Sequence, residues 1–201
     1  LTWRMTGKWI PVLAIDGGPI TQEDTLTALH EQLGNKQDEP QFTFQPPAAE
    51  PEHSPKKIPS ERYRQFVEEA LKRTENPYWI DFAATWGCEI KPRRKKEDVA
   101  TPTSFDFTAG QQGLLQMVRD TIEKTTQEHL KACLFETWRY QDVELSLRWD
   151  LLDETRRYAL QAIDPANTNK NPIRTMRGAN RLAVEALPLF PVIPERAGVQ
   201  T

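Results

Sequence analysis

Leu114-Leu115-Gln116-Met117-Val118-Arg119-Asp120-Thr121-Ile122 sets Leu114, Leu115, Val118 and Ile122 on one helical face, and that spacing predicts a helix turned toward a core. Just upstream, Thr108 and Gln111 have capping-box spacing. The apolar pattern lapses over Glu123–Glu128, where Thr125 and Glu128 offer a second capping box. The stretch therefore divides into two helices near Lys124, the second holding Leu130, Cys133 and Leu134. Downstream the period changes. Leu145, Leu147 and Trp149 alternate with Glu144, Ser146 and Arg148, as a half-buried strand should. Arg157–Ile163, rich in Tyr, Leu and Ile, is a second strand candidate, and the two would pair as an antiparallel hairpin across Asp150–Arg156. Helices and strands follow one another without a regular βαβ alternation, so the expected class is α+β: short helices packed on small antiparallel strands.

Toward the N-terminus, Trp9-Ile10-Pro11-Val12-Leu13-Ala14-Ile15 reads as a strand closed by a turn at Asp16-Gly17-Gly18-Pro19. Thr21 and Asp24 have the spacing of a helix cap; Leu26, Leu29 and Leu33 follow at helical intervals, and Gly34 is placed to end the helix. From Gln37 to Ser60 six prolines punctuate the chain. That stretch reads as a Pro-rich flexible linker, with a brief strand expected at Phe42 and Phe44. Ser60 caps the next helix, whose apolar face is Tyr63, Phe66, Val67, Ala70 and Leu71, and Asn76-Pro77 stops it. Tyr78-Trp79-Ile80-Asp81-Phe82 reads as β-prone. The organisation expected is a strand–helix segment over 1–36, the linker over 37–60, and an α+β domain with a helical centre and a basic C-terminal helix over 61–201.

Charge is distributed unevenly. Over the 201 residues the net charge is -3, so any nucleic-acid binding must be local rather than a property of the whole surface. Two stretches stand apart. Lys91-Pro92-Arg93-Arg94-Lys95-Lys96 holds five cations in six residues; it is a loop, read either as solvated or as a phosphate contact. Between Pro165 and Val184 lie Lys170, Arg174, Arg177 and Arg181 with no acidic residue among them. Asp164–Pro172 is turn chemistry, and Ala179–Leu187 predicts a short helix with Leu182, Ala183, Ala186 and Leu187 inward and Pro188 at its end. A basic loop running into a helix start suits a phosphate, because helix N-terminal N–H groups and arginines attract the same anion.

Catalytic and metal chemistry find little footing. His30, His53 and His129 have no partner at metal-ligand spacing, and Cys88 and Cys133 are far apart, so neither a structural zinc nor a disulfide framework is expected. Asp142 with Glu144, and Asp150 with Asp153 and Glu154, are carboxylate sets that a two-metal nuclease would need held together. Arg148, Arg156 and Arg157 beside the second set point to surface ion pairs instead. No phosphate-loop or dinucleotide motif occurs, and no catalytic residue, metal or cofactor is expected. Gln111 and Gln112, between Gly110 and Gly113, stand as candidates for uncharged contacts to bases or phosphates, or for a helix cap alone. Trp79, Trp86, Trp138 and Trp149 lie in apolar runs and read as core. No run approaches the roughly 20 apolar residues of a membrane span.

Several short segments occur in a characteristic order: Phe107-Thr108-Ala109-Gly110-Gln111-Gln112, Trp138-Arg139-Tyr140, Trp149-Asp150, Arg157-Tyr158-Ala159-Leu160, Asp164-Pro165, Gly178-Ala179, Leu182-Ala183 and Ala186-Leu187-Pro188-Leu189-Phe190-Pro191. This succession, over roughly Phe105 to Pro191, resembles proteins encoded beside type I CRISPR effector genes of the subtype called U or G. Those proteins look like divergent relatives of the large subunit of the crRNA-guided surveillance complex, Cascade. The family pattern extends on both sides of the present sequence, and Leu1 is not an initiator Met, so a partial chain is expected. The resemblance implies a non-catalytic, cytoplasmic subunit in antiviral defence. Its implied partners are the other effector subunits, crRNA, target double-stranded DNA and the helicase–nuclease that the complex recruits. Such subunits read a short flanking motif and backbone shape, while base pairing with the guide reads sequence. On this reading Arg93, Arg94, Lys95 and Lys96 track a phosphate strand, Arg174, Arg177 and Arg181 contact target DNA, and Asn180 reaches a base edge, with Gln111 and Gln112 as further contacts. Two other readings are carried beside it: a protein–protein adaptor in the same complex, and a metal-dependent nuclease.

Overall fold

The structure, a computed structural model, describes residues 2–7, 9–12, 20–45, 57–72, 78–88, 98–103, 105, 113–147, 149, 174–190, 193–195 and 198–200. The fold is α+β, with helices carrying the core and four two-stranded antiparallel ladders among the described residues.

The chain opens with β1 (Thr2–Met5) paired to β2 (Trp9–Val12), Thr2 opposite Val12 and Met5 opposite Trp9. β2 falls where the sequence predicts a strand; β1 is an addition to that expectation. Helix α1 (Gln22–Leu33) starts on the expected cap: Thr21 Oγ1 accepts the Asp24 N–H at 3.0 Å and Asp24 Oδ2 accepts the Thr21 hydroxyl at 2.6 Å. It stops at Gly34, whose φ of 50° lies where an L side chain is strained. Leu26 and Leu33 pack with Leu130 into a small cluster that Leu29 and Leu182 flank.

Phe42 and Phe44 correct the expected strand. Pro40–Thr43 is a single helical turn, α2, with Pro40 at its first position, where the missing N–H costs nothing. It ends at Phe44 with φ 48°. Arg62 of α3 (Ser60–Lys72) donates from Nε to Phe44 O at 3.0 Å and from Nη2 to Thr43 O at 2.6 Å, setting a cation against the α2 C-terminus. Both phenylalanines are fully buried. Phe42 meets Phe82 edge-on at 5.0 Å, and Phe44 lies 4.5 Å from Trp86. Burying such rings stabilises by about 1.5–3 kcal/mol each, which favours the helical turn that carries them.

Tyr78–Phe82 is corrected as well. It is not a strand but the first half of helix α4 (Tyr78–Trp86). Trp79, Phe82, Ala83 and Trp86 repeat at helical intervals and are all buried. The Tyr63 hydroxyl of α3 donates to Gly87 O at 2.6 Å, just past the end of α4. β3 (Gly87–Cys88) then pairs with β4 (Thr101–Pro102).

α5 (Leu114–Lys124) and α6 (Gln127–Phe135) divide where the sequence lapses. The cap at the division is Thr126 with His129, not Thr125 with Glu128. Leu145, Ser146 and Leu147 do not form the expected strand. Among the described residues of this stretch, extended pairing is confined to β5 (Asp142–Val143), and Glu144 and Leu145 turn the backbone with φ of 71° and 51°. The partner of β5 is β6 (Arg174–Thr175), with Asp142 opposite Thr175 and Val143 opposite Arg174. Arg157–Ile163 and the turn at Asp164–Pro172 lie outside the described residues. Helix α7 (Arg177–Ala186) runs into a 3-10 turn, Leu187–Leu189, that contains Pro188. The fully buried residues of α7 are Gly178, Asn180, Arg181 and Val184; of the expected Leu182, Ala183, Ala186 and Leu187, Leu187 is buried just past the helix, Leu182 is half-buried against the small cluster, and Ala183 and Ala186 are half-buried. The ladder β7 (Ile193–Glu195) with β8 (Gly198–Gln200) follows.

Candidate nucleic-acid interface

The cationic stretch that suggested a phosphate site divides into an outer and an inner half. Arg174 is exposed on β6, and Arg177 opens α7 half-buried. Arg181 is 1% exposed and Asn180 3%. Arg181 Nη1 donates to Glu185 Oε1 at 2.6 Å, and its Nη2 donates to Leu33 O at 3.0 Å. The Tyr78 hydroxyl donates to the other oxygen, Glu185 Oε2, at 2.8 Å. Three helices are joined through this group: α1 by the Leu33 carbonyl, α4 by Tyr78, α7 by Arg181 and Glu185. Burial, then the Glu185 carboxylate, push the Tyr78 phenol well above its ordinary value. Asn180 Nδ2 donates to Thr175 Oγ1 at 2.7 Å, holding α7 against β6. The expected DNA contacts by Arg181 and Asn180 are therefore withdrawn: both side chains are spent inside the fold, and each would have to abandon buried partners to reach a strand.

The N-terminus of α7 is occupied too. Asp142 Oδ2 accepts the Arg177 N–H at 2.8 Å, so the position read as a phosphate seat carries the chain's own carboxylate. The Arg177 side chain reaches back along β5, donating from Nη2 to Val143 O at 3.1 Å. On the far side of Asp142, His129 Nε2 lies 3.8 Å from Oδ1. His129 Nδ1 accepts the Thr126 N–H at 3.0 Å, which places the ring proton on Nε2. Burial holds this imidazole below its ordinary 6.5; Asp142 pulls it up and Arg177 pushes it further down. Asp142 is thus engaged at the helix start, while Glu144 is exposed. Among the described residues no group of three or more His, Cys, Asp and Glu could hold a metal ion.

α6 and α7 cross in near contact. A Cβ on Gly178 would lie 2.2 Å from His129 O and 2.9 Å from Cys133 Cβ, so only glycine fits. The same closeness buries the Cys133 thiol, and burial pushes it up to about 11.

Beyond this crossing the surface opens. Trp138, expected in the core, is 47% exposed. Its indole N–H donates to Cys133 O at 2.7 Å, and its ring meets Tyr140 edge-on at 5.9 Å. Arg139 between them is exposed. Trp79 and Trp86 are buried as expected, and Trp149 packs against the main core. Arg93, Arg94, Lys95, Lys96, Gln111 and Gln112 lie outside the described residues. Sequence reasoning missed the Asp142 cap and the Arg181–Glu185–Tyr78 group. The four-residue spacing of Arg181 and Glu185 was the one local signal for the latter.

No protein-family model matches the chain, and no curated protein or solved structure matches it.

Proposed function

We propose that the chain is a non-catalytic, cytoplasmic subunit of a crRNA-guided type I CRISPR effector that contacts target DNA beside its flanking motif. The observation that carries this reading is the ordered run of motifs from Phe107 to Pro191. Arg174 is exposed and Arg177 is half-buried at the helix start, which supports these two, rather than the buried Arg181 and Asn180, as the proposed phosphate contacts. The basic loop Arg93–Lys96 and the pair Gln111 and Gln112 remain proposed contacts on the sequence argument alone. Guide RNA, the other effector subunits and a recruited helicase–nuclease are the proposed partners. Among the described residues no helix is long and apolar enough to cross a membrane.

The test is copurification of the full chain with a tagged crRNA-bearing complex, followed by binding of a duplex that carries the flanking motif. Loss of duplex binding when the chain is omitted supports the assignment; a complex that forms and binds DNA equally well without it removes the assignment.

A second reading, a protein–protein adaptor, draws on Leu189 and Phe190, both exposed, with the Phe190 ring tilted at 41° to Phe105, centroids 5.6 Å apart. An adaptor would hold the complex together and would not shift DNA on its own.

A further inference from the structure

His129 stands where a capping box normally carries glutamate or glutamine, at the third residue of α6. The Thr126 hydroxyl oxygen accepts the His129 N–H, and His129 Nδ1 accepts the Thr126 N–H in return at 3.0 Å. A glutamine keeps its acceptor oxygen at every pH. An imidazole loses its acceptor nitrogen when it takes up a proton, within reach of about pH 5 to 8. The start of α6 is thus closed by a side chain whose acceptor can be switched off.

A second partner is in place for the protonated ring. His129 Nε2 lies 3.8 Å from Asp142 Oδ1, while Asp142 Oδ2 accepts the Arg177 N–H at the start of α7, so the two oxygens serve different elements. The side chains of His129 and Asp142 are 22% and 16% exposed, open enough for a proton to arrive from solvent. Asp142 on β5 favours the charged ring and Arg177 on α7 opposes it. The positive end of α6 opposes it as well. Glu128 adjoins His129 in the first turn of α6, and Cys133, one turn further on, is held neutral by burial. α1 meets α6 through neutral groups: Gln127 Nε2 donates to Thr27 Oγ1 at 3.1 Å, and Leu26 and Leu33 pack on Leu130. The His129 carbonyl packs against Gly178 of α7, so a change in the first turn of α6 is felt at the crossing of the two helices.

We infer that His129 is an acid-operated latch at this crossing: neutral, it closes the start of α6 on the Thr126 N–H; protonated, it releases Thr126, closes on Asp142 and opens the first turn of α6, while the cap of α7 stays in place. The latch acts within the fold and does not depend on the nucleic-acid reading.

The experiment is a pH titration of the full chain by NMR, following the imidazole nitrogens of His129 and the amide exchange of Thr126 and Arg177. The chains compared are wild type, Asp142→Asn, which keeps an oxygen for the Arg177 N–H, Arg177→Gln and His129→Gln. In wild type the neutral ring should carry its proton on Nε2 and titrate below the ordinary 6.5. Thr126 should lose its exchange protection at the same midpoint, and Arg177 should keep its own. Asp142→Asn should move the midpoint down and Arg177→Gln should move it up, with Thr126 following each. His129→Gln should abolish the change at Thr126. A neutral ring protonated on Nδ1, or a Thr126 amide still protected once the ring is charged, overturns the latch. So does loss of Thr126 and Arg177 protection together, which is general unfolding. A midpoint that Asp142→Asn leaves unmoved overturns Asp142 as the second partner.

Discussion

Asp142 and Arg177 are 35 residues apart, and the carboxylate of one accepts the backbone N–H of the other at 2.8 Å. This hydrogen bond ties β5 to the first turn of α7 and supplies the negative charge that a helix N-terminus attracts. The helix start therefore serves the fold, while the Arg174 side chain is exposed on the neighbouring strand. Asp142→Ala should lower stability by about 0.5–2 kcal/mol, as loss of a capping oxygen does, and Asp142→Asn by less. Urea unfolding of the three chains measures this. An unchanged midpoint in Asp142→Ala would mean that the cap contributes nothing.

The inner and outer arginines should behave oppositely. Arg181→Ala strands the Glu185 carboxylate and the Leu33 carbonyl and should cost ~3–5 kcal/mol. Arg174→Ala, at an exposed position, should change stability by less than about 0.5 kcal/mol. Denaturant midpoints decide between them; equal losses would contradict the division of the stretch.

Gly178→Ala forces α6 and α7 apart, because its methyl would overlap the His129 carbonyl backbone. The expected loss is about 1–3 kcal/mol or more, as for overpacking elsewhere. Hydrogen exchange should show it first at the α6–α7 crossing. A chain as stable as wild type would mean that the two helices can slide freely.

His129 predicts a pH dependence with a definite sign. Burial keeps its folded value below the ordinary 6.5, so the neutral ring is favoured in the fold and the unfolded chain takes up the proton first. Stability from this residue is fully present above pH 6.5 and is lost as pH falls through the folded value. Protonation would also remove the acceptor that Nδ1 offers to the Thr126 N–H. His129→Gln retains a capping side chain and should flatten the melting-temperature profile below that pH. A profile identical to wild type would contradict the assignment.

What could be read in advance was local. Thr21, Leu26, Leu33 and Gly34 encode α1 within one segment, and the lapse after Ile122 marks the α5–α6 division. Tyr78–Phe82 misled because a five-residue window of aromatic and branched residues suits either period; extending it to Trp86 reveals the helix. Phe42 and Phe44 misled because proline density argues for a loop until a distant core claims the rings. The candidate site was less legible for a related reason. Leu33 lies 148 residues from Arg181, and nothing local says that a cation on a short helix is buried. Once it is, Arg181 belongs to the core, while Arg174 is exposed and Arg177 half-buried.

The central claim is that those two arginines meet nucleic-acid phosphate. Its most direct test is the salt dependence of duplex binding for wild type and for Arg174→Gln with Arg177→Gln. Each phosphate left without its arginine should make the plot of log K against log salt shallower by about 0.9, so the double variant's slope should fall by about 1.8, with weaker binding at low salt. A slope that does not change would contradict the account.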